Sequence, residues 1–272
     1  MTFYKHNLSA LIGLVFVSGQ AMAGENTTAS DNQPVSIFTP EQEVRIGHVA
    51  ADYLLEHPDI LIRVSQKLQV QQQEKQIRTI TAAILANQDA LVNDKFNPSY
   101  GPTDAKIVLV EFFDYQCNIC FQEASEMDAV MKVNPQVRYV FKSWPVAQRR
   151  GNSLKAAQKG LEIWKSAGKD AWLAYHNGIF ATGTNEGALT SEDINCVASM
   201  ALKGRKIRGG NVNTKAILEG NNKLAQALSL KRAPVLIVLP SKGATESNVT
   251  VIPDGANRET LQKAIDKADG KS

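Results

Sequence analysis

Two cysteines, Cys117 and Cys120, stand at the end of an apolar run and at the start of a predicted helix. A helix N-terminus stabilises a thiolate, because the helix dipole and the free N–H groups of the first turn favour negative charge. The second thiol lies within reach of the first, whereas a structural disulfide at this spacing would close only a minimal loop. The pattern therefore indicates thiol–disulfide redox chemistry.

An acidic residue, Glu111, interrupts the apolar run that precedes the cysteines. The run covers residues 107–113 and is typical of a strand that is buried on both faces, as in a parallel sheet. Burial would raise the pKa of this carboxyl, because it disfavours the charged form. Glu111 could then exchange a proton with Cys120 during disulfide exchange. The alternative is an inward charge that is paired with a lysine.

The elements around these residues predict an α/β fold. Further strands are predicted at 137–142, 233–239 and 249–252, with helices after the cysteines, in four segments between 143 and 232, and at 258–268. The order is strand–helix–strand, a helical block, then strand–strand–helix. This is the order of a thioredoxin fold with a helical insertion at about 143–232, and we expect the domain to span 105–272.

The chain before this domain is predicted to be helical over 38–93, with a linker at 94–104. Thr39 and Gln42 are spaced for a capping box, and Pro58 ends the first helix. The second, longer pattern has a narrow apolar seam at heptad spacing, which favours a self-associating stalk. The alternative is one amphipathic helix that lies on the body of the protein. A change in the apolar phase near residues 68–70 predicts a break or hinge there.

The N-terminus has the pattern of a secretory signal peptide over residues 1–23. Lys5 precedes a short apolar core, and Ala21-Met22-Ala23 is a cleavage pattern. Residues 24–37 are polar, and we expect them to be disordered in the mature protein. Because the signal peptide directs export, we expect the protein in the periplasm, either free or associated with the outer membrane. The net charge of +3 is too small to indicate a nucleic-acid partner.

The motif, the strands and the insertion resemble the DsbA-like branch of the thioredoxin superfamily. The resemblance rests on residues 110–120, on the strand at 137–142 and on Ala233-Pro234 before a buried strand. The segment 38–93 is similar to the oligomerisation stalk of the ScsC-type, DsbC-like branch. The resemblance implies that Cys117 is the nucleophile, that Cys120 resolves the mixed disulfide, and that the two form the redox-active disulfide.

The resemblance also implies roles outside the cysteine pair. Glu111 matches the buried acid that relays a proton. Pro234 matches the cis-proline, which would leave the backbone of Ala233 free to pair with an extended substrate. Asn118 and Ile119 lie between the cysteines and are expected to contact substrate. They replace the Pro-His of strongly oxidising members, so we expect a less extreme thiolate pKa and isomerase or oxidase activity.

The expected partners are exported client proteins with cysteines and a membrane redox partner that reoxidises or reduces the site. We also expect a homo-oligomer, a dimer or trimer, that forms through 38–93, and no cofactor or resident metal. A Cu(I) site of two thiolates and a non-catalytic scaffold on the same fold are the competing hypotheses. The third cysteine, Cys196, is predicted to be a buried free thiol in a helix of the insertion.

Overall fold

A computed structural model describes residues 37–145, 151–184, 186–207 and 213–271. The predicted signal peptide, 1–23, and all of the predicted segment 24–37 except its last residue lie outside the described residues. The chain divides into two compact units, Met1–Leu61 and Ile62–Ser272, and each is considered by itself. No helix in the described part of the chain has the length and apolar character needed to cross a bilayer.

The first unit contains the helix α1, Pro40–Glu56. Thr39 and Gln42 form the predicted capping box, in which each side chain accepts the backbone N–H of the other residue. The helix ends at His57, before Pro58, as predicted. No residue of α1 is buried. Its large exposed apolar side chains are Val44, Ile46, Val49, Tyr53 and Leu55.

The second unit is built on a five-stranded mixed sheet. Its strands are β1, Ser99–Tyr100; β2, Ile107–Phe113; β3, Arg138–Ser143; β4, Val235–Pro240; and β5, Thr250–Pro253. The spatial order is β1-β3-β2-β4-β5. Only the β2–β3 pair is parallel, while the other neighbours are antiparallel. Every residue of β2 is buried, which confirms the interpretation of the apolar run as a central strand.

Helices cover both faces of this sheet. They are α2, Asp59–Ala86; α3, Gln88–Val92; α4, Asn118–Val133; α5, Gly151–Ala167; α6, Lys169–Ala181; α7, Ser191–Leu202; α8, Thr214–Ala227; and α9, Arg258–Ala268. Because side chains alternate along a strand, Leu109 and Phe113 of β2 face one core and Val108 and Phe112 the other. The helices α5 to α8 form the predicted insertion between β3 and β4.

The long helix α2 differs from its prediction in two respects. It continues through residues 68–70, so the predicted break is wrong. The apolar residues in its C-terminal half are not available for self-association, because Ile80 and Ile84 are buried in the same core as Val108 and Phe112. The helix is interrupted only after Ala86, and the Asn87 side chain donates to the Ala83 carbonyl there.

The predicted linker, 94–104, contains a short strand. Ser99 pairs with Val140 and Tyr100 with Tyr139, so this segment forms the edge of the sheet next to β3. Two residues are too few to give a periodic pattern, which explains why the sequence did not indicate this strand.

Candidate active site at the start of α4

Cys117 is the N-cap residue of α4, and its sulfur is held by the first turn of that helix. The backbone N–H of Cys120 donates to Cys117 Sγ at 3.3 Å. Cys117 is half-buried and Cys120 is fully buried, and both are free thiols. The structure therefore shows the reduced pair, in which Cys117 is the more exposed of the two residues.

The two thiols have opposite pKa shifts. The pKa of Cys117 is lowered to about 7, mainly by a hydrogen bond from the Cys120 side chain, with help from the backbone N–H groups of Cys120 and Ile119. Burial and the carboxylate of Asp114 oppose this shift. Burial raises the pKa of Cys120 far above its ordinary range, and the neighbouring Cys117 raises it further. Near neutral pH Cys117 is therefore partly ionised and exchanges between thiolate and thiol, while Cys120 remains a thiol.

Asp114 fixes the turn that leads into the cysteines. Its carboxylate accepts the backbone N–H of Gln116 at 2.9 Å and the hydroxyl of Ser153. Its carbonyl accepts the backbone N–H of Cys117 at 3.1 Å. These bonds connect the turn to α5 of the insertion. Sequence reasoning did not single out Asp114, although a charged residue directly after a buried strand is a signal for such a capping role.

The fold brings Pro234 to the cysteines from more than a hundred residues away. The Ala233–Pro234 peptide bond is cis, and the Cys117 thiol donates to the Ala233 carbonyl at 3.5 Å. Of the two residues between the cysteines, Asn118 is half-buried and Ile119 is exposed, so both are on the accessible side of the pair. The predicted substrate-contacting residues thus form one surface around Cys117.

Gly255 completes this surface on the loop between β5 and α9. It has φ +82°, a conformation that residues with a Cβ rarely adopt. A Cβ there would also come within 2.9 Å of Ile119 Cγ2 and 3.7 Å of Pro234 Cγ. The loop therefore packs closely against both the cysteine motif and the proline loop.

Glu111 lies on β2 with its side chain on the same face of the sheet as Cys120. It is 2% exposed, and its Oε2 atom has no hydrogen-bond partner. Burial raises its pKa well above the ordinary value, and Glu123 and Cys117 raise it further. No lysine pairs with Glu111 in the described part of the chain, and Lys142 pairs with Asp94 instead. The alternative of a lysine-paired charge is therefore wrong.

The sequence analysis missed a second buried acid, Glu123 on α4. It is 3% exposed, and burial raises its pKa to about 8. The spacing in the sequence indicates this burial, because Glu123 follows Cys120 by three residues and precedes Met127 by four. All three positions lie on one helix face, and the structure buries all three.

Two family models match the chain. The model described as thioredoxin matches residues 93–267. The model described as the N-terminal domain of the copper resistance protein ScsC matches residues 42–75. The chain belongs to the thioredoxin-like thiol–disulfide oxidoreductases. Its N-terminal helical segment is of the ScsC type, as the sequence predicted.

Solved structures agree with this family. BcfH of Salmonella enterica Typhimurium is 33% identical with a TM-score of 0.72, over 85% of this chain and 97% of that one. The catalytic domain of Proteus mirabilis ScsC is 25% identical with a TM-score of 0.59, over 70% of this chain and 99% of that one. The thiol-disulfide exchange protein α-DsbA2 of Wolbachia pipientis, at 18% identity and a TM-score of 0.58 over 70% and 96% of the chains, shares the fold. A comparison with curated proteins finds no match.

The oxidoreductase carries its third cysteine outside this site. Cys196 lies on α7 and is exposed, so the prediction of a buried thiol is wrong. The inward face of that helix is formed by Ile194, Val197 and Ala201 instead. Within the described ranges, no group of three or more histidine, cysteine and acidic residues is arranged to hold a metal ion.

Proposed function

We propose that this protein is a periplasmic thiol–disulfide oxidoreductase that acts on cysteine-containing exported proteins as an isomerase or oxidase. The observation that carries the proposal is the position of Cys117. This cysteine is half-buried, its pKa is lowered and its sulfur lies beside the Ala233 carbonyl, while its partner Cys120 is fully buried.

In the oxidised form, a client thiolate would attack Cys117 Sγ and break the Cys117–Cys120 disulfide. Cys120 would leave as a thiolate, and its high pKa in the buried site requires that it take up a proton. Glu111 is our candidate for the donor, because it is buried on the same face of the sheet and burial raises its pKa well above the ordinary value. A second client thiolate would then attack the client sulfur of the mixed disulfide and release Cys117 as a thiolate.

In the reduced form, the Cys117 thiolate would attack a client disulfide and form a mixed disulfide with one client sulfur. The displaced client thiolate can then attack a different disulfide of the same client, which releases another client thiolate. Attack of that thiolate on the client sulfur of the mixed disulfide forms a new client disulfide and releases Cys117 as a thiolate. If the client does not resolve the intermediate, Cys120 would do so, and the client would leave reduced. The same geometry therefore serves isomerase and reductase steps.

The Cys117 pKa supports a moderate rather than an extreme oxidant. Its value of about 7 is close to that of thioredoxin, whereas the strong oxidase DsbA has a thiolate pKa of about 3.5. Neither Asn118 nor Ile119 supplies a positive charge beside the sulfur. A less stable thiolate makes the disulfide less oxidising, and this favours isomerase work, for which part of the protein must remain reduced.

The first unit supports assembly into a homo-oligomer. No residue of α1 is buried, and five of its exposed side chains are large and apolar. Isolated helices of this length are marginal in water, and most helices are stabilised by packing an apolar face. We propose that α1 packs against other copies in a dimer or trimer, so that two or more active sites face one client. A membrane redox partner would maintain the state of the cysteines.

Refolding of scrambled RNase and reduction of insulin test the proposal. Cys117→Ser should abolish both activities, while Cys196→Ser, which changes the exposed thiol outside the site, should leave both unchanged. Deletion of residues 38–61 should yield a monomer that reduces insulin but no longer unscrambles RNase. A monomeric full-length protein with a reduction potential near about −120 mV would instead indicate an oxidase. Retention of both activities in Cys117→Ser would refute the redox function.

A further inference from the structure

Four glutamines form a stripe along one side of α2. They follow one another at steps of three and four, which places them on the same helix face: Gln69, Gln72, Gln73 and Gln76. The face continues into Ile80 and Ile84, four and eight residues after Gln76, and both isoleucines are buried in the core. The side of α2 that packs against the sheet at its C-terminal end therefore carries amide side chains further toward its N-terminus.

The stripe lines a groove of about 430 Å³, the glutamine groove. The lining residues outside α2 belong to the segment that leads into β4 and to the end of β5: Leu230, Lys231, Arg232, Val235, Pro253 and Asp254. All of the lining residues are part of the second unit. The volume falls within the range of about 300–1,000 Å³ that is typical of ligand-binding clefts. The groove is therefore large enough to hold part of a substrate.

The glutamine groove shares two loops with the surface around Cys117. Arg232 directly precedes Ala233, whose carbonyl accepts the hydrogen bond of the Cys117 thiol at 3.5 Å. Asp254 is tied to the same loop, because its backbone N–H donates to the Pro234 carbonyl at 3.1 Å. The Arg232 guanidinium donates to the Asp254 carboxylate at 2.5 and 2.7 Å. One wall of the groove and the residues beside the reactive sulfur thus belong to the same pair of linked loops.

The glutamine side chains have the chemistry to bind the backbone of an extended polypeptide. Each amide offers two N–H donors and a carbonyl acceptor, which match peptide C=O and N–H groups whatever side chains the peptide carries. Within the described ranges, none of these four amides hydrogen-bonds to another side chain or to the backbone. The stripe rises about 10 Å along the helix, which is the length of about three residues of an extended chain.

We propose that the glutamine groove is a client-binding subsite, which holds an extended segment of the client polypeptide while the client sulfur reacts with Cys117. This role rests on the proposed function. A client that pairs with the backbone of Ala233 is extended there, and the linked loops lead such a chain toward the groove. A wall of uncharged amides binds backbone without selecting side chains. The subsite therefore favours unfolded or misfolded clients, whose backbone is accessible, over folded ones.

The test compares two disulfide substrates of the reduced full-length protein. One is an unstructured peptide of about ten residues, long enough to fill the groove, whose central cysteine is joined to glutathione. The other is oxidised glutathione, whose short chain ends near the reacting sulfur. In both reactions the Cys117–Cys120 dithiol becomes a disulfide, and its two electrons and two protons convert the substrate disulfide into two thiols.

The test variant combines Gln72→Ala, Gln73→Ala and Gln76→Ala. We expect the half-saturating concentration of the peptide substrate to rise roughly five- to tenfold, the effect of losing one or two net hydrogen bonds. The maximal rate and the reaction with oxidised glutathione should stay unchanged. Gln71→Ala is the matched control, because it changes the same residue type on the same helix outside the groove lining, and it should behave like the native protein. Alanine favours helix, so the variants should retain α2.

An unchanged peptide reaction in the triple variant, or an equal loss with both substrates or in Gln71→Ala, would overturn the subsite while leaving the proposed function intact. A change in the oligomeric mass of the triple variant would assign the stripe to a contact between copies and would also overturn it. The native protein gives an independent measurement, since the subsite requires a lower half-saturating concentration for the peptide than for glutathione. Absence of any Cys117-dependent reaction with either substrate would refute the proposed function itself.

Discussion

Glu111 on β2 and Glu123 on α4 are two buried acids, and the charge of Glu123 acts on the carboxyl of Glu111. Burial is the main reason why the pKa of Glu111 is raised, and the charge of Glu123 raises it further. Burial also raises the pKa of Glu123, to about 8, so the buried region behind Cys117 favours the protonated form of both acids. Stability and reactivity should therefore depend on pH through these two residues.

Replacing Glu111 with glutamine should stabilise the protein increasingly as the pH rises. The pKa of Glu111 is raised in the folded state, so the unfolded chain gives up its proton first, and the native protein loses stability above the ordinary value of 4.5. Glutamine has no proton to lose. The gain in the free energy of unfolding should grow as the pH rises above 4.5, by up to about 1.4 kcal/mol per pH unit, until Glu111 itself ionises in the folded protein. Urea denaturation of both proteins at several pH values measures it.

The exposed acid Glu246 provides the control for this measurement. Glu246→Gln removes the same group from the surface and should follow the native stability at every pH. A Glu111→Gln variant whose stability stays parallel to the native curve would show that this carboxyl is ionised in the folded protein.

Replacing Cys120 with alanine should raise the pKa of Cys117 above about 7. The hydrogen bond from the Cys120 side chain is the largest cause of the lowered pKa, and alanine cannot donate it. The backbone N–H groups of the first turn remain, so the shift should be partial. The absorbance of the thiolate at ultraviolet wavelengths, followed against pH, measures the midpoint in both proteins. An unchanged midpoint would mean that the helix N-terminus alone stabilises the thiolate.

The features that the sequence predicted correctly are those with local causes. The capping box of α1 depends on residues three positions apart, and the buried strand β2 depends on seven consecutive residues. The position of Pro234 beside Cys117 depends on the whole fold. It was predicted only because the cysteine motif and the order of elements together indicated a thioredoxin fold.

The wrong predictions concern residues on helices. The spacing of apolar residues indicates which side of a helix is buried, but it does not show which part of the protein packs against that side. The apolar phase of α2 changes near residues 68–70, where the helix is exposed, but its backbone continues without a break and its buried residues begin only at Ile80. Cys196 was assigned to the interior by residue type, although Ile194 and Val197 already define the inward face of α7. Glu123 was overlooked because an acid on a helix is usually exposed, and only its spacing from Cys120 indicated otherwise.

Breaking the buried ion pair between Asp94 and Lys142 should strongly destabilise the second unit. Both side chains are less than a tenth exposed. Asp94→Asn leaves a buried lysine without its counter-charge and should lower the free energy of unfolding by roughly 3–5 kcal/mol. Lys142→Met should cost less, because Asp94 still accepts the backbone N–H groups of Phe96 and Asn97. The double variant should recover part of the loss.

The stability contributed by the Asp94–Lys142 ion pair should depend on pH. The pKa of Asp94 lies below its ordinary 3.8, because the attraction of Lys142 and the N–H donors outweigh burial. The stability it contributes is therefore present above that value and is lost as the pH falls below it. Removing the exposed pair of Lys263 and Glu259 should have little effect at any pH, since such pairs are screened by water. Equal effects of the two pairs would contradict the structural role of Asp94.

Replacing Ile46, Val49 and Tyr53 with serine should dissociate the proposed oligomer. These residues follow one another at steps of three and four, so they form one apolar stripe on α1, and each is about half exposed or more. Light scattering should show a monomer, and the RNase-unscrambling activity should fall while the thiolate titration of Cys117 stays unchanged. His48→Ser, which alters an exposed position away from the stripe, should keep the native mass. A variant that remains oligomeric with the stripe removed would place the contact on another surface of the chain.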